Sequence, residues 1–209
     1  MKRIDVKDWF EFLIADLFEA DNTGNVLARD IEDGSGVIPF VTASSVNNGV
    51  CAHINPQNYK VMPGNCILVG GKTFTLTYQK EKFISNDSHN FVLIAKDKNV
   101  KKNQYLFLIS VIRTAFEQRY TWNDAVTKKK ILEEKIKLPV DFEKNPDWKY
   151  MDDYISDVQR KTREKLKLLN LIETRQNRKD ISAWKRFHLY DLFDIDMGTK
   201  LDKVKMKDA

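Results

Sequence analysis

Apolar residues change their spacing twice along this chain. Between Gly36 and Lys96 they come in short runs, "GVIPFVTASSV", "CILVGG", "FTLTYQ" and "NFVLIAK", each rich in β-branched or aromatic residues. Clusters such as "NNG", "MPGN" and "SNDSHN" separate the runs, as turns separate strands. "NQYLFLISVIRTAFEQRY" then sets Leu106, Ile109, Ile112 and Phe116 on one face and predicts a helix of about four turns. "KIKLPV" predicts a last short strand, stopped by Pro139. Residues 21 to about 145 therefore read as mainly β with some helix.

From Pro146 the spacing is helical without interruption. "PDWKYMDDYISDVQRKTREKLKLLNLIETRQNRK" has no Gly and no internal Pro. Pro146 suits a first helical turn. Asp147, Asp152 and Asp153 lie early and Arg175, Arg178 and Lys179 late, matching the helix dipole at both ends. Met151, Ile155, Val158, Thr162, Lys165, Leu169 and Ile172 step by fours and threes, the seam of a coiled coil. Thr162 and Lys165 weaken its middle; Leu166 and Leu168 widen it. A helix over 146–179 would be about 50 Å long at 1.5 Å per residue. That exceeds what a small domain needs for its own core. The spacing predicts a helix that protrudes and packs on another long helix; the alternative is an amphipathic helix lying on its own domain.

After the helix the chain repeats its opening. "WFEFLIADLF" from Trp9 and "WKRFHLYDLF" from Trp184 share, without a gap, Trp9 with Trp184, Phe12 with Phe187, Asp16 with Asp191, Leu17 with Leu192 and Phe18 with Phe193. Ile14 and Leu189 are similar. A repeat in one register means one complete unit and the opening of a second.

Composition narrows the class. At 209 residues, 42% hydrophobic and 31% charged, the chain can build a real core. No apolar run is long enough to span a membrane. The start carries Asp5 and Asp8 and lacks the apolar segment of a signal peptide. Two cysteines, Cys51 and Cys66, are too few for a disulfide scaffold, so a reduced, cytoplasmic protein is expected. A net charge of +5 permits a polyanionic partner without requiring one.

A β-rich module, a long heptad helix and the module's opening again together resemble the specificity (S) subunit of type I restriction-modification systems. The resemblance rests on "WFEFLIADLF", "IPFVTASSVNNG", "NCILVGGKTFTLTYQKEKFISNDSHNFVL", "QYLFLISVI…RYTW" and "IKLPV…PDWKYMDDYI", in that order. It implies an α+β protein: a β-rich target recognition domain over 1–145, a long spacer and dimerisation helix over 146–180, and the opening of an incomplete second recognition domain over 181–209. It also implies double-stranded DNA as ligand, methyltransferase (M) and restriction (R) subunits as partners, and no catalysis in this chain. Such subunits usually carry two recognition domains held apart by antiparallel helices. One domain here is expected to mean either a truncated two-domain subunit or a half-subunit. The half-subunit would form an antiparallel homodimer through Met151, Ile155, Val158, Thr162, Leu169 and Ile172 and read a palindromic site.

Enzymatic alternatives fail on residues. "GGKT" at 70–73 lacks the first glycine of a phosphate-binding loop, because Cys66 stands there. "NPDW" at 145–148 is similar to the N-P-P-aromatic motif of amino-methyltransferases, but Asp147 replaces the second proline and no glycine-rich fingerprint precedes it. Pro146-Asp147 could begin a PD…(D/E)xK nuclease motif, but no suitably spaced acidic-x-Lys follows. His53, His89 and His188 lie far apart, with no H-E-x-x-H or C-x-x-C pattern. No cofactor and no metal is expected.

Four stretches are dense in residues that contact phosphates or base edges. They supply Thr42, Ser44, Ser45 and Asn47; Lys72, Thr73 and Thr75; Asn86, Ser88, His89 and Asn90; and Arg119, Tyr120, Trp122, Lys128, Lys129 and Lys130. The opposing reading of each is plain: exposed strand positions, an ordinary turn, a solvated lysine face. A different function class also fits the helix and the charge, a dimerisation module carrying a β-rich protein- or RNA-binding domain. It leaves the restarted "W…F…DLF" unexplained.

Overall fold

The computed structural model describes residues 5–120 and 124–168, together with Lys185, His188, Asp191 and Leu192. Its contacts divide the chain into two compact units, Met1–Arg163 and Glu164–Ala209. The first contains β1 (Phe10–Leu13), α1 (Ile14–Leu17), β2 (Phe18–Asn22), β3 (Ile38–Val41), β4 (Val50–Ile54), β5 (Cys66–Val69), β6 (Leu76–Gln79), β7 (Ile84–Ser85), β8 (Phe91–Ala95), α2 (Lys102–Phe116), α3 (Lys128–Leu132) and β9 (Lys135–Leu138). The last element, α4, runs Trp148–Leu168. Every strand run and the four-turn helix expected between Gly36 and Pro139 is present, and the fold is α+β.

A four-stranded antiparallel sheet, β2-β8-β5-β6, is the centre. Its inner strands are apolar at nearly every position because both faces are covered. The side-chain period of two divides them. Ile67, Val69, Phe91 and Leu93 face the main core with Tyr105, Leu108 and Ile112 of α2. Cys66, Leu68 and Val92 face a second cluster with Val41, Met62 and Phe83. Beyond that cluster lies the sheet β4-β3-β7, antiparallel between β3 and β4 and parallel between β3 and β7. The Ala95 N–H donates to the Tyr105 hydroxyl oxygen at 2.9 Å and pins α2 to the central sheet. Burial pushes the Tyr105 phenol up to about 12.

The opening segment closes this domain. β1 pairs antiparallel with β9, Phe10 opposite Leu138 through Leu13 opposite Lys135. Ile14, Leu17 and Phe18 are then 0%, 8% and 2% exposed in the main core, and the Trp9 ring lies 5.7 Å from that of Phe107. Of the repeated segment only Lys185, His188, Asp191 and Leu192 are described. There the His188 N–H donates to Asp191 Oδ2 at 3.2 Å, and Leu192, the counterpart of Leu17, is 57% exposed.

The first turns of α4 differ from expectation. The helix begins at Trp148, with Pro146 outside it. Asp147 is its cap, accepting the Tyr150 N–H at 2.8 Å. Met151, expected to face another chain, is 0% exposed within its own domain. Tyr154 and Ile155 pack against the same core, and Tyr154 meets Phe107 edge-on at 5.7 Å. Asn103 of α2 donates to Ser156 and accepts from Gln159. The physical reason is the exposed flank of α2, which presents Phe107 and Asn103 where α4 leaves the domain. An amphipathic stripe takes the nearest apolar surface. Farther along, Thr162 is exposed, its hydroxyl donating to the Val158 carbonyl. Leu169 and Ile172 lie outside the described residues, as does the expected helix beyond Leu168.

Candidate nucleic-acid interface

The turn between β5 and β6 organises this surface. Its Gly70 N–H donates to the Thr75 carbonyl at 2.8 Å. A Cβ on Gly70 would stand 2.6 Å from Ala43 Cβ; one on Gly71 would stand 2.3 Å from the His89 carbonyl oxygen and 3.0 Å from that of Val126. The Val126 N–H donates to the Gly71 carbonyl at 2.9 Å. The two glycines thus let the loop after β3 near residue 43, the 86–90 loop and the segment before α3 close on one turn. Phe74 anchors the turn from below. It is 7% exposed, adopts a left-handed φ of 50°, and lies 5.3 Å from the Tyr120 ring. Three of the four sequence stretches meet the "GGKTFT" stretch directly or through the residues beside them.

On the turn itself the threonines are committed. Thr73 and Thr75 hydroxyls lie 2.7 Å apart, and that of Thr75 donates to the Ala43 carbonyl at 3.2 Å. Thr73 stays exposed and Thr75 is half-buried. Lys72 pairs with Asp87 at 3.5 Å.

The 86–90 loop is built around Asp87. Its Oδ1 accepts the His89 backbone N–H and meets the His89 ring Nδ1, both at 2.8 Å. Burial by itself would raise the Asp87 carboxyl, but the His89 hydrogen bonds and the Lys72 charge outweigh it and hold the group below its ordinary value. Ser88 and His89 are exposed. Asn90 was expected at the interface, yet it is 2% exposed. Its amide donates to Ser85 Oγ and Asn86 Oδ1, and its carbonyl accepts the Thr23 N–H. A buried amide needs its partners inside the protein, so Asn90 shapes the loop and is not available to a ligand. Asn86 is half-buried and holds Asn90.

The loop after β3 is locked by its own polar groups. The Thr42 N–H and hydroxyl both donate to the Gly49 carbonyl, at 2.8 and 3.3 Å. The Val46 N–H donates to Ser44 Oγ at 3.1 Å, and the Asn47 amide to the Val50 carbonyl at 2.8 Å. Asn47, Asn48 and Gly49 follow one another in left-handed conformation, φ 49°, 54° and 81°. Asparagine tolerates that region where most residues do not. The Asn48 amide reaches across to the Tyr78 carbonyl at 2.8 Å. Ser45 is exposed and no side-chain bond occupies it among the described residues.

In the fourth stretch, Tyr120 is a second correction. It is 5% exposed and donates to Glu134 Oε1 at 2.7 Å; burial, then that carboxylate, push its phenol up. The ring packs against Phe74, so a residue expected to contact DNA is a core residue. Arg119 pairs with Glu134 at 2.7 Å while 60% of its side chain stays exposed. Trp122 lies outside the described residues. Lys130 folds back onto Asp124 at 2.5 Å and the Ala125 carbonyl. Lys128 and Lys129 have no ion-pair partner among the described residues.

Sequence reasoning missed a basic groove of about 510 Å³ between β6 and α2, lined in part by Asn48, Thr77, Lys80, Lys102 and Arg113. Its cations are scattered along the sequence, and no local pattern joins them. Among the described residues no cluster of three or more His, Cys, Asp or Glu side chains could hold a metal ion, and no helix is long and apolar enough to cross a membrane.

Comparison with known proteins bears on this geometry. The family model described as "Type I restriction modification DNA specificity domain" matches residues 6–168. The Type II restriction enzyme BgcI specificity subunit S.BcgI of Heyndrickxia coagulans is 28% identical over 203 residues, 94% of this chain and 57% of that protein. The fold matches that of a type I restriction-modification S subunit from M. genitalium at a TM-score of 0.51 and 10% identity, covering 79% of this chain and 44% of that one. It matches the HsdS subunit from Thermoanaerobacter tengcongensis at 0.54 and 14%, covering 79% and 41%. A chain from a structure concerned with assembly and conformational transition of the type I R-M system matches at 0.58 and 13%, covering 82% and 43%. The chain spans about half the length of these proteins.

Proposed function

The chain belongs to the family of type I restriction-modification DNA specificity domains, and from that premise we propose that it is a DNA-recognition subunit that reads one half of a bipartite duplex site. The observation that carries this reading is the meeting of separate polar loops on the Gly70–Gly71 turn. Ser45, Ser88 and His89 are exposed on loops that meet this turn, as does the segment that leads into Lys128 and Lys129. Short side chains that both donate and accept suit base edges, and lysines suit phosphates. The chain itself performs no catalysis in this reading. It supplies the address that methyltransferase and restriction subunits use.

Pairing of two copies of this chain through α4 would bring two recognition domains into one assembly. The apolar groove of about 560 Å³ between α2, β9 and α4, lined by Trp9, Phe107, Val111, Ile136, Ile155 and Val158, extends the α4 stripe and gives a second helix a surface. Asp152 and Asp153 lie early in α4 and Lys165 and Lys167 late, so antiparallel packing sets opposite charges together.

Fluorescence anisotropy with labelled duplexes over a range of salt tests the recognition reading. Affinity falls steeply with salt through counterion release. Replacing Lys128, Lys129 and Lys130 by Ala weakens binding to all sequences alike and flattens the salt slope. His89→Ala instead changes which sequence is preferred, by about 1–3 kcal/mol if a bidentate contact is lost. Unchanged binding in both variants would place the DNA face elsewhere. Nuclease, ATPase or methyltransferase turnover by the purified chain, abolished by one substitution in it, would contradict the non-catalytic role.

A further inference from the structure

We propose that Val46 is a specificity-determining residue that reads the 5-methyl group of a thymine in the major groove. The inference rests on the DNA-recognition reading and deepens it. Val46 is 76% exposed, at the tip of the loop between β3 and β4. A single exposed valine is ordinary on a protein surface; what sets this one apart is its mounting. Its N–H is held by Ser44 Oγ at 3.1 Å, and the next two residues are fixed by Asn47 to the Val50 carbonyl and by Asn48 to the Tyr78 carbonyl, both at 2.8 Å. The Gln79 amide grips the Asn48 carbonyl at 3.1 Å. Three consecutive left-handed residues follow Val46 and turn the chain back toward β4.

Those left-handed asparagines are held against a conformational cost, and such cost is concentrated where a loop must present a side chain in one place. Valine has one restricted side-chain torsion, so little entropy is lost when it is buried by a ligand. It carries no hydrogen-bonding group. Its neighbours Ser44, Ser45 and Asn47 carry several. A polar loop with one apolar tip matches the thymine edge, which offers an acceptor oxygen and a methyl group side by side; no other base presents that methyl in the major groove. The hydroxyl groups take the oxygen or the adjacent phosphate, and the two valine methyls cover the thymine methyl.

The test begins with selection of the preferred site by the unmodified chain from a randomised duplex library. Each thymine of that site is then replaced by deoxyuridine, which removes only the methyl group, and affinities are measured by anisotropy. The expected result is a roughly three- to five-fold loss at one thymine, the factor associated with about one buried methyl group, and near-equal affinities elsewhere. Val46→Ala should bind the thymine and uracil forms of that position alike, and Val46→Ile should restore the preference. An unmodified chain indifferent to uracil at every position, or a Val46→Ala chain with the same thymine-to-uracil ratio as the parent, overturns the inference while recognition stands. A chain that binds no duplex at all overturns recognition and this inference together. Circular dichroism of each variant shows that the fold is kept; Val46 is outside every core cluster, so both variants should melt as the parent does.

Discussion

Replacing Gly71 with alanine tests the one contact on which the candidate surface depends. The backbone of Gly71 is not left-handed, so alanine costs nothing in φ, and the whole effect is steric. The new Cβ would stand 2.3 Å from the His89 carbonyl oxygen and 3.0 Å from that of Val126. Both are main-chain atoms, and neither can swing aside as a side chain could. The 86–90 loop is tied to Asp87 and Asn90, and the Val126 N–H is bonded to Gly71 itself. Relief therefore requires loop and turn to part by roughly 1 Å, with an expected loss of about 1–3 kcal/mol in stability, the usual cost of overpacking. The same displacement moves Ser88 and His89 relative to Lys72 and the lysines before Ile131, and should weaken specific DNA binding by about as much. Urea denaturation reads the first quantity as a lower midpoint at constant slope, and duplex anisotropy reads the second. A Gly71→Ala protein with the parent's midpoint and affinity would refute the claim that these loops are held together at this turn.

Tyr120→Phe removes a buried hydrogen bond to Glu134 and should cost about 1 kcal/mol in urea melts, with duplex affinity unchanged; a selective loss of affinity would return Tyr120 to the interface. Met151→Ala should cost about 2–5 kcal/mol because the side chain is fully enclosed by its own domain; a neutral result would mean that α4 does not sit there in solution. The depressed carboxyl of Asp87 makes the 86–90 loop acid-sensitive: its contribution is complete above the ordinary carboxylate range and is lost as pH falls through the lowered value. The fall in urea midpoint across that acid range should therefore be smaller in Asp87→Asn than in the parent. Light scattering at tens of micromolar should report a dimer, and substituting Val158 and Ile172 together with Asp should give a monomer that keeps a folded domain; a monomeric parent would remove the antiparallel pairing.

The elements were legible where one physical cause dominated. "CILV" and "FVLIA" are apolar throughout because both faces of the central sheet are covered, and such runs stand out without an alignment. β7, two residues long, and β1, with no fully buried position, carry no comparable signal. Neither does the parallel pairing of β3 with β7, which joins Phe40 to Ile84 and Val41 to Ser85, far apart in sequence. The helix shows the limit of periodicity most clearly. Steps of three and four place Met151, Ile155 and Val158 on one face, but an apolar face is the same whether it meets its own domain or another chain. The deciding group was Phe107 on α2, and nothing near residue 151 announces it.

The candidate interface was legible as a set of loops but not as a set of contacts, because the chemistry that recognises DNA is also the chemistry that holds a loop. Asn, Thr, Tyr and Lys bond main-chain carbonyls as readily as base edges. Each loop must satisfy its own backbone before it can offer anything to a ligand. Asn90 and Tyr120 are wholly spent in this way, Thr75 and Lys72 largely so, and Asn47 spends its amide on Val50. Ser45, Ser88, Lys128 and Lys129 are left, with the apolar tip at Val46. This division has a consequence for how such a surface can change. The spent residues define the loop geometry, so substituting them alters presentation of every neighbour at once. The unspent ones stand on a frame that does not depend on them, so on the proposed reading substituting one changes what the surface offers to DNA without moving the glycine turn beneath it.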